Sequence, residues 1–205
     1  MCIYSDHVLP RLLNVAMNTE PAREIRKRLC SGLSGEVIEF GFGAGHNLPF
    51  LPAGVTRVVA VEPAGVAIRL AGQRIARCGI PVQVAGPDAQ RLPLADACAD
   101  SVLTTWTLCS IPDPVLAVRE ARRVLRPGGR LFFAEHGQAP DAGIRRWQNR
   151  LNGVHRRIAG GCNLNREIAA IIEAGGMTIV RLDRYYARHE PRPYAAMYEG
   201  VAVAA

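Results

Sequence analysis

The stretch Glu36-Val37-Ile38-Glu39-Phe40-Gly41-Phe42-Gly43-Ala44-Gly45 decides the fold. Glu36–Phe40, rich in β-branched and aromatic side chains, reads as a buried strand. Gly41, Gly43 and Gly45 then let the backbone turn tightly and let a ligand approach the main chain with no Cβ in the way. Such a strand-to-turn unit opens a parallel sheet wound with helices, whose ligands sit at the carboxyl ends of the strands. The nicotinamide pattern G-x-G-x-x-G aims a helix N-terminus at a pyrophosphate. Here the third glycine comes one residue early and His46 follows, a spacing that suits a smaller cofactor without a pyrophosphate.

Outward from this turn the chain keeps alternating. Val58–Glu62, Val82–Ala85, Ser101–Thr105 and Arg130–Ala134 read as further strands, and Met177–Leu182 with about 194–203 as a closing pair. Between them lie a helix over 64–78 stopped by Gly79, and one opened by Asp113-Pro114 and ended before Pro127-Gly128-Gly129. A mostly polar helix is expected over about 143–158, and another over about 165–174, begun near Asn163 or Asn165. The expected architecture is a doubly wound, mostly parallel, seven-stranded α/β sheet. It forms one domain over 1–205, with 1–34 as an amino-terminal helical cap. In the cap, Val8, Leu12, Val15 and Ala16 share one helix face.

The chain has 205 residues with 25 Lys+Arg against 18 Asp+Glu, a net charge of +7. Only Lys27 is a lysine, which excludes a P-loop and disfavours pyridoxal and lysine-dependent dehydrogenase chemistry. The arginines are expected to form solvated faces rather than a nucleic-acid surface, because only Trp147 interleaves with them as a stacking platform. Residues 145–157 stay open as an exception, and the helix that carries them could be a lid, with Trp147 and Leu151 on one apolar side. Six cysteines, at 2, 30, 78, 98, 109 and 162, form no C-x-x-C pair. With no apolar leader at Met1–Pro10 and no run of 18 apolar residues, a reducing cytoplasm with free thiols is expected and no membrane span.

Two acids follow the glycine turn. Glu62 ends the second strand, where a carboxylate accepts from the vicinal hydroxyls of a ribose. Asp88-Ala89 follows the third strand, where an acid can accept from an adenine amine beside a backbone N–H. The ordered set E-F-G-F-G-A-G, V-A-V-E-P, D-A-Q-R-L-P-L, S-I-P-D-P and V-L-R-P-G-G-R-L-F, over about 35–135, resembles the class I S-adenosylmethionine-dependent methyltransferases. His7–Arg11, Thr107–Asp113, Glu135-His136-Gly137 and Gly161–Leu164 extend the likeness to a small bacterial branch similar to the animal alkyl-thiol methyltransferases, which carry an amino-terminal membrane anchor.

The resemblance implies S-adenosyl-L-methionine as cofactor and a small-molecule methyl acceptor. It implies Glu39, Gly41, Gly43 and Gly45 around the methionine part, Glu62 on the ribose, Asp88 and Ala89 at the adenine, and Thr105 beside the sulfonium. Phe42, Pro87 and Trp106 depart from the usual pattern, Trp106 at a place where it would narrow the acceptor pocket. His136, just after the fifth strand, is the candidate base or positioning group. Cys162 is a candidate lining of the acceptor pocket, whereas Cys109 is expected to pack behind the cofactor without a role. His46 is expected to cap the helix after the turn, and His155 and His189 carry no context. A small thiol is the favoured acceptor. A phospholipid or other amine stays open through the helical face of Leu9, Leu12, Leu13 and Ala16, as does a non-catalytic cofactor- or RNA-binding protein, whereas a nicotinamide-linked oxidoreductase is disfavoured by the glycine spacing and the lone lysine.

Overall fold

A computed structural model describes residues 4–188 and 190–204, so Cys2 and His189 lie outside the described residues. A wide helical turn at Tyr4–Val8 leads into α1 (Leu9–Ala16) and α2 (Glu20–Cys30). The core units follow as β1 (Gly35–Phe40), β2 (Val55–Val61), α3 (Gly65–Cys78), β3 (Val82–Gly86), β4 (Ala99–Thr105), α4 (Pro114–Val124) and β5 (Leu125–His136). The chain closes with α5 (Ala142–Ile158), α6 (Ile168–Ala174), β6 (Met177–Tyr186), α7 (Arg192–Ala195) and β7 (Ala196–Ala204).

The seven strands lie in the order β3-β2-β1-β4-β5-β7-β6. Strands β1 to β5 run parallel, and β7 pairs antiparallel with both β5 and β6. The expected doubly wound, mostly parallel sheet is therefore the observed one. Period-two alternation sends Ile38, Phe40, Val102, Leu131 and Phe133 to one face, with Val118, Ala121, Ile168 and Ile172 of α4 and α6. Val37, Leu103, Phe132 and Ala134 point to the other, against Ile25 and Leu29 of α2 and Ala71 of α3. From β1 the chain winds outward through β2 and β3, then returns to β4 on the opposite side of β1. This reversal opens a crevice above the carboxyl ends of β1 and β4.

Local signals mostly place the ends. Asp113 Oδ1 accepts from Val115 N and Leu116 N, both at 3.1 Å, and caps α4. Gly79 closes α3 with φ 68°. Three expectations are corrected. α6 starts at Ile168 without a side-chain cap, because Asn163 is spent on the Cys109 carbonyl and Asn165 on Asn149. His46 caps nothing: the turn at Leu48–Phe50 has Asn47 at its start with no side-chain cap, and His46 Nε2 is buried without a partner. The apolar row Val8, Leu12 and Val15 faces solvent, and Leu9 with Pro10 makes the buried side of α1.

The polar helix α5 is turned likewise. Gln148 is its buried residue, donating to Gly137 O and Pro193 O and accepting from Ala139 N. Asn152 faces the following loop, accepting from Leu164 N. Trp147, Val154 and Ile158 stand in solvent and Leu151 is half-buried, so the expected apolar side of α5 is turned mostly outward. Of the arginines on α4 and early in β5, two are ion-paired rather than merely solvated. Arg123 binds Glu120 and Asp96, and Arg126 joins Asp100 and Glu36 across the amino ends of β1 and β4. No helix among the described residues is long and apolar enough to cross a membrane.

Candidate active site

The crevice is built around the glycine turn. Gly41, Gly43 and Gly45 have φ of 65°, 56° and 73°, in the left-handed region that favours glycine. A Cβ on Gly41 would collide with Thr107, whereas the nearest atom to one on Gly43 is the Gly41 carbonyl at 3.8 Å. Gly41 is thus required by packing, and Gly43 leaves an open cradle. Gly43 N donates to Glu62 Oε2 and Ala64 N to Glu62 Oε1, each at 2.8 Å. Glu62 first shapes the turn, and each of its oxygens keeps a second lone pair. Burial pushes its carboxyl above the ordinary range. Asp88 is exposed on the loop after β3 and accepts from Gln90, while Ala89 beside it is buried.

Below the turn lies a buried polar group. Glu39, 1% exposed at the end of β1, accepts from Asn47 Nδ2 at 2.8 Å, and the same nitrogen donates to Thr105 Oγ1 at 3.0 Å. Arg26 enters from α2, 3% exposed. Its Nη1 donates to Met17 O at 2.8 Å, and its guanidinium lies 4.7 Å from the centre of the Trp106 ring. Arg26 and Asn47 are site residues that sequence reasoning missed. Arg26 Nε, Glu39 Oε2 and Asn47 Oδ1 are all buried without a hydrogen-bond partner. Orphaned buried polar atoms are costly and call for a ligand or water. One cationic donor beside two acceptors complements a zwitterionic amino acid, carboxylate to arginine and ammonium to Glu39. The residues present therefore fit the methionine end of S-adenosylmethionine.

Burial pushes the Glu39 carboxyl up to about 8, opposed by the Asn47 hydrogen bond and the Arg26 charge. Burial also pulls Arg26 down to about 10 and His46 down to about 4.

Next to this group is a small cavity of about 40 Å³, walled by Met17, Ala22, Ile25, Trp106, His136 and Met197. Trp106 holds φ 52°, its N bonded to Ala134 O at 2.8 Å, and its ring meets His136 edge-on at 6.3 Å. A non-glycine residue with positive φ is strained, and such strain is found where a side chain must be aimed. The structure thus brings His136 and Trp106 together on the cavity wall. Cys162 stands behind them, its Sγ 3.9 Å from His136 Nδ1 and 3.4 Å from Cys109 Sγ. His155 meets Tyr194 at a tilt, ring centres 5.3 Å apart.

The chain matches the family model of the methyltransferase domain over residues 38–133. It is 34% identical over 162 residues to human thiol S-methyltransferase TMT1B, covering 75% of this chain and 65% of that protein. It is 30% identical over 193 residues to the malonyl-(acyl-carrier protein) O-methyltransferase of Methylococcus capsulatus, covering 89% and 69%. The chain thus spans just under two thirds of the length of the thiol S-methyltransferase. A solved SAM-dependent methyltransferase from Aquifex aeolicus superposes with a TM-score of 0.64 at 17% identity, covering 94% of this chain and 97% of that one. With the sheet order, the glycine turn and these likenesses together, the chain belongs to the class I S-adenosylmethionine-dependent methyltransferases.

Proposed function

We propose that this chain transfers the methyl group of S-adenosylmethionine to a small thiol seated between Trp106 and His136. The observation that carries the reading is the set of orphaned buried atoms on Arg26, Glu39 and Asn47. When bound, the cofactor supplies a methyl group already activated by its sulfonium. Arg26 and Glu39 hold the amino-acid end, Gly43 leaves room along the turn, Glu62 meets the ribose, and Asp88 with Ala89 takes the adenine. Thr105 ends β4 on the reacting side. The apolar walls of the cavity exclude water, and its small size favours a compact nucleophile. His136 takes the thiol proton, and Cys162 lies behind it rather than on the wall. The name of the 34% identical human relative supports the thiol.

An amine acceptor at a lipid surface is a second reading. It is favoured by the exposed apolar residues Leu12 and Val15 on α1 and Val154 and Ile158 on α5, beside exposed Arg146, Arg150 and Arg157. A panel of thiols, phenols, amines and phospholipid vesicles with labelled cofactor decides between them. Fastest transfer to a small thiol is expected, and transfer confined to vesicle-borne amines would replace the thiol reading by the lipid one. Within the thiol reading, His136→Ala is expected to slow transfer more at pH 6 than at pH 9. At the higher pH much of a thiol is already ionised. A loss equal at both would remove His136 as the base.

Glu39 gives the cofactor a pH dependence. Without ligand its carboxyl is neutral up to about 8, against 4.5 ordinarily. Its contribution to stability is therefore present below 4.5 and lost as pH rises through about 8. An arriving ammonium needs the ionised carboxylate, so binding expels a proton. Cofactor affinity is expected to rise with pH up to about 8, by at most about tenfold per unit. Calorimetry in buffers of different ionisation enthalpy should show the released proton, and Glu39→Gln should abolish both effects. Affinity that is flat with pH in the unsubstituted protein would sever Glu39 from the ammonium.

A further inference from the structure

Cys109, His136 and Cys162 stand apart from the cofactor's polar group, and the proposed transfer uses only the histidine. Among the described residues they are the one group of three or more potential metal-ligating side chains with one donor atom each within 4.8 Å of the others. We propose that these three residues bind a thiophilic d10 cation, zinc(II) being the type.

The distances suit it. Tetrahedral zinc with bonds of about 2.3 Å to sulfur and 2.0–2.1 Å to nitrogen sets two sulfurs about 3.8 Å apart and sulfur to nitrogen about 3.5 Å. Here the sulfurs are 3.4 Å apart and Cys162 Sγ is 3.9 Å from His136 Nδ1. Small side-chain rotations separate the first pair and close the second. Two thiolates and an imidazole are the donors that zinc and its soft neighbours select over magnesium or calcium.

The three segments are clamped from outside, as outer partners clamp metal ligands. Glu135, fully buried beside His136, accepts from Thr107 N at 3.0 Å and Cys109 N at 3.3 Å, tying the turn after β4 to the end of β5. The Cys109 carbonyl accepts from Asn163 N at 2.8 Å and Asn163 Nδ2 at 3.1 Å, drawing in the loop that carries Cys162. Gly161, with φ 92°, lets that loop pass where a Cβ would lie 3.0 Å from Ser110 O.

Three protein ligands leave a fourth position for water or another donor. Uptake of one cation by two thiols forms two sulfur–metal bonds and releases two protons. With Nδ1 on the metal, the remaining ring nitrogen of His136 carries its proton and only donates. The loaded site and His136 as a base are therefore alternative states of one residue.

The test uses the whole chain, stripped with a chelator and kept reduced with a phosphine. Zinc titrated by calorimetry is expected to bind at one per chain, with protons released. Cobalt(II) in its place is expected to give thiolate charge-transfer absorption and the intense bands of a tetrahedral site. Zinc should shield Cys109 and Cys162, but not Cys78, from alkylation, read by peptide mass; this needs no variant. Cys162→Ser should weaken zinc by more than the roughly 10–100-fold that loss of an outer partner costs, whereas Cys78→Ser should change nothing. Absence of stoichiometric uptake, a cobalt spectrum without thiolate bands, or a Cys109–Cys162 disulfide in place of uptake would each overturn the site. None of these readouts involves methyl transfer, so the site and the thiol acceptor stand or fall separately.

Discussion

Replacing Arg26 by leucine is expected to weaken binding of S-adenosylmethionine by on the order of a hundredfold, about 2–3 kcal/mol for hydrogen bonds to a charged group. Arg26 is 3% exposed and stays cationic at neutral pH, since burial lowers it only to about 10 and the ring of Trp106 faces it. Its Nε has no partner within the chain, so a ligand carboxylate is the acceptor it lacks. S-adenosylhomocysteine, which keeps the amino-acid end, should lose the same factor. Methylthioadenosine, which has no amino-acid end, should bind the variant and the unsubstituted protein alike. Arg26→Lys should restore only part, since an ammonium lacks the planar fork and stacks less well on Trp106. Calorimetry with the three ligands checks this. Equal weakening for methylthioadenosine would mean that the substitution had disordered the crevice rather than removed a carboxylate partner.

Glu135→Ala is expected to destabilise the fold by about 3–5 kcal/mol, read as a fall in the urea midpoint at unchanged slope. Glu135 is fully buried, and its two oxygens collect Thr104 Oγ1 at 2.7 Å, Thr107 N and Cys109 N. Each donor left without an acceptor costs about 1–3 kcal/mol, and the desolvation relieved by removing the carboxylate returns only part of the sum. Glu135→Gln should cost less, because one oxygen remains to accept from Thr104 and Thr107 while the amide nitrogen faces a backbone N–H. The alanine variant should also lose the shielding of Cys109 by zinc, since Glu135 sets the turn that carries it. A stability within about 0.5 kcal/mol of the unsubstituted protein, the ordinary range for surface changes, would show that the turn does not depend on this carboxylate.

Much of the architecture was legible because its signals are local. The glycine turn announces itself through residues that tolerate positive φ, and all three of its glycines use that freedom. Asp113-Pro114 and Gly79 mark helix ends through bonds made within a few residues. The apolar strands read as buried since both faces of a parallel sheet are covered. The helix faces were not legible. Trp147 with Leu151 looks like an inner side, yet Trp147 is exposed and Gln148 is the buried residue, because loop carbonyls and amides there require polar partners.

The sequence by itself determined the doubly wound, mostly parallel sheet and its glycine turn, and it marked Glu62 and Asp88 as acids at successive strand ends, all through short-range backbone chemistry. Only the tertiary structure decided that Arg26, 13 positions before Glu39, reaches the same buried group. That meeting depends on how α2 packs over the sheet, which no local pattern encodes. The same holds for Cys109, His136 and Cys162. They come from three separate segments and are joined by one buried carboxylate and one asparagine, whose bonds exist only once the chain has closed.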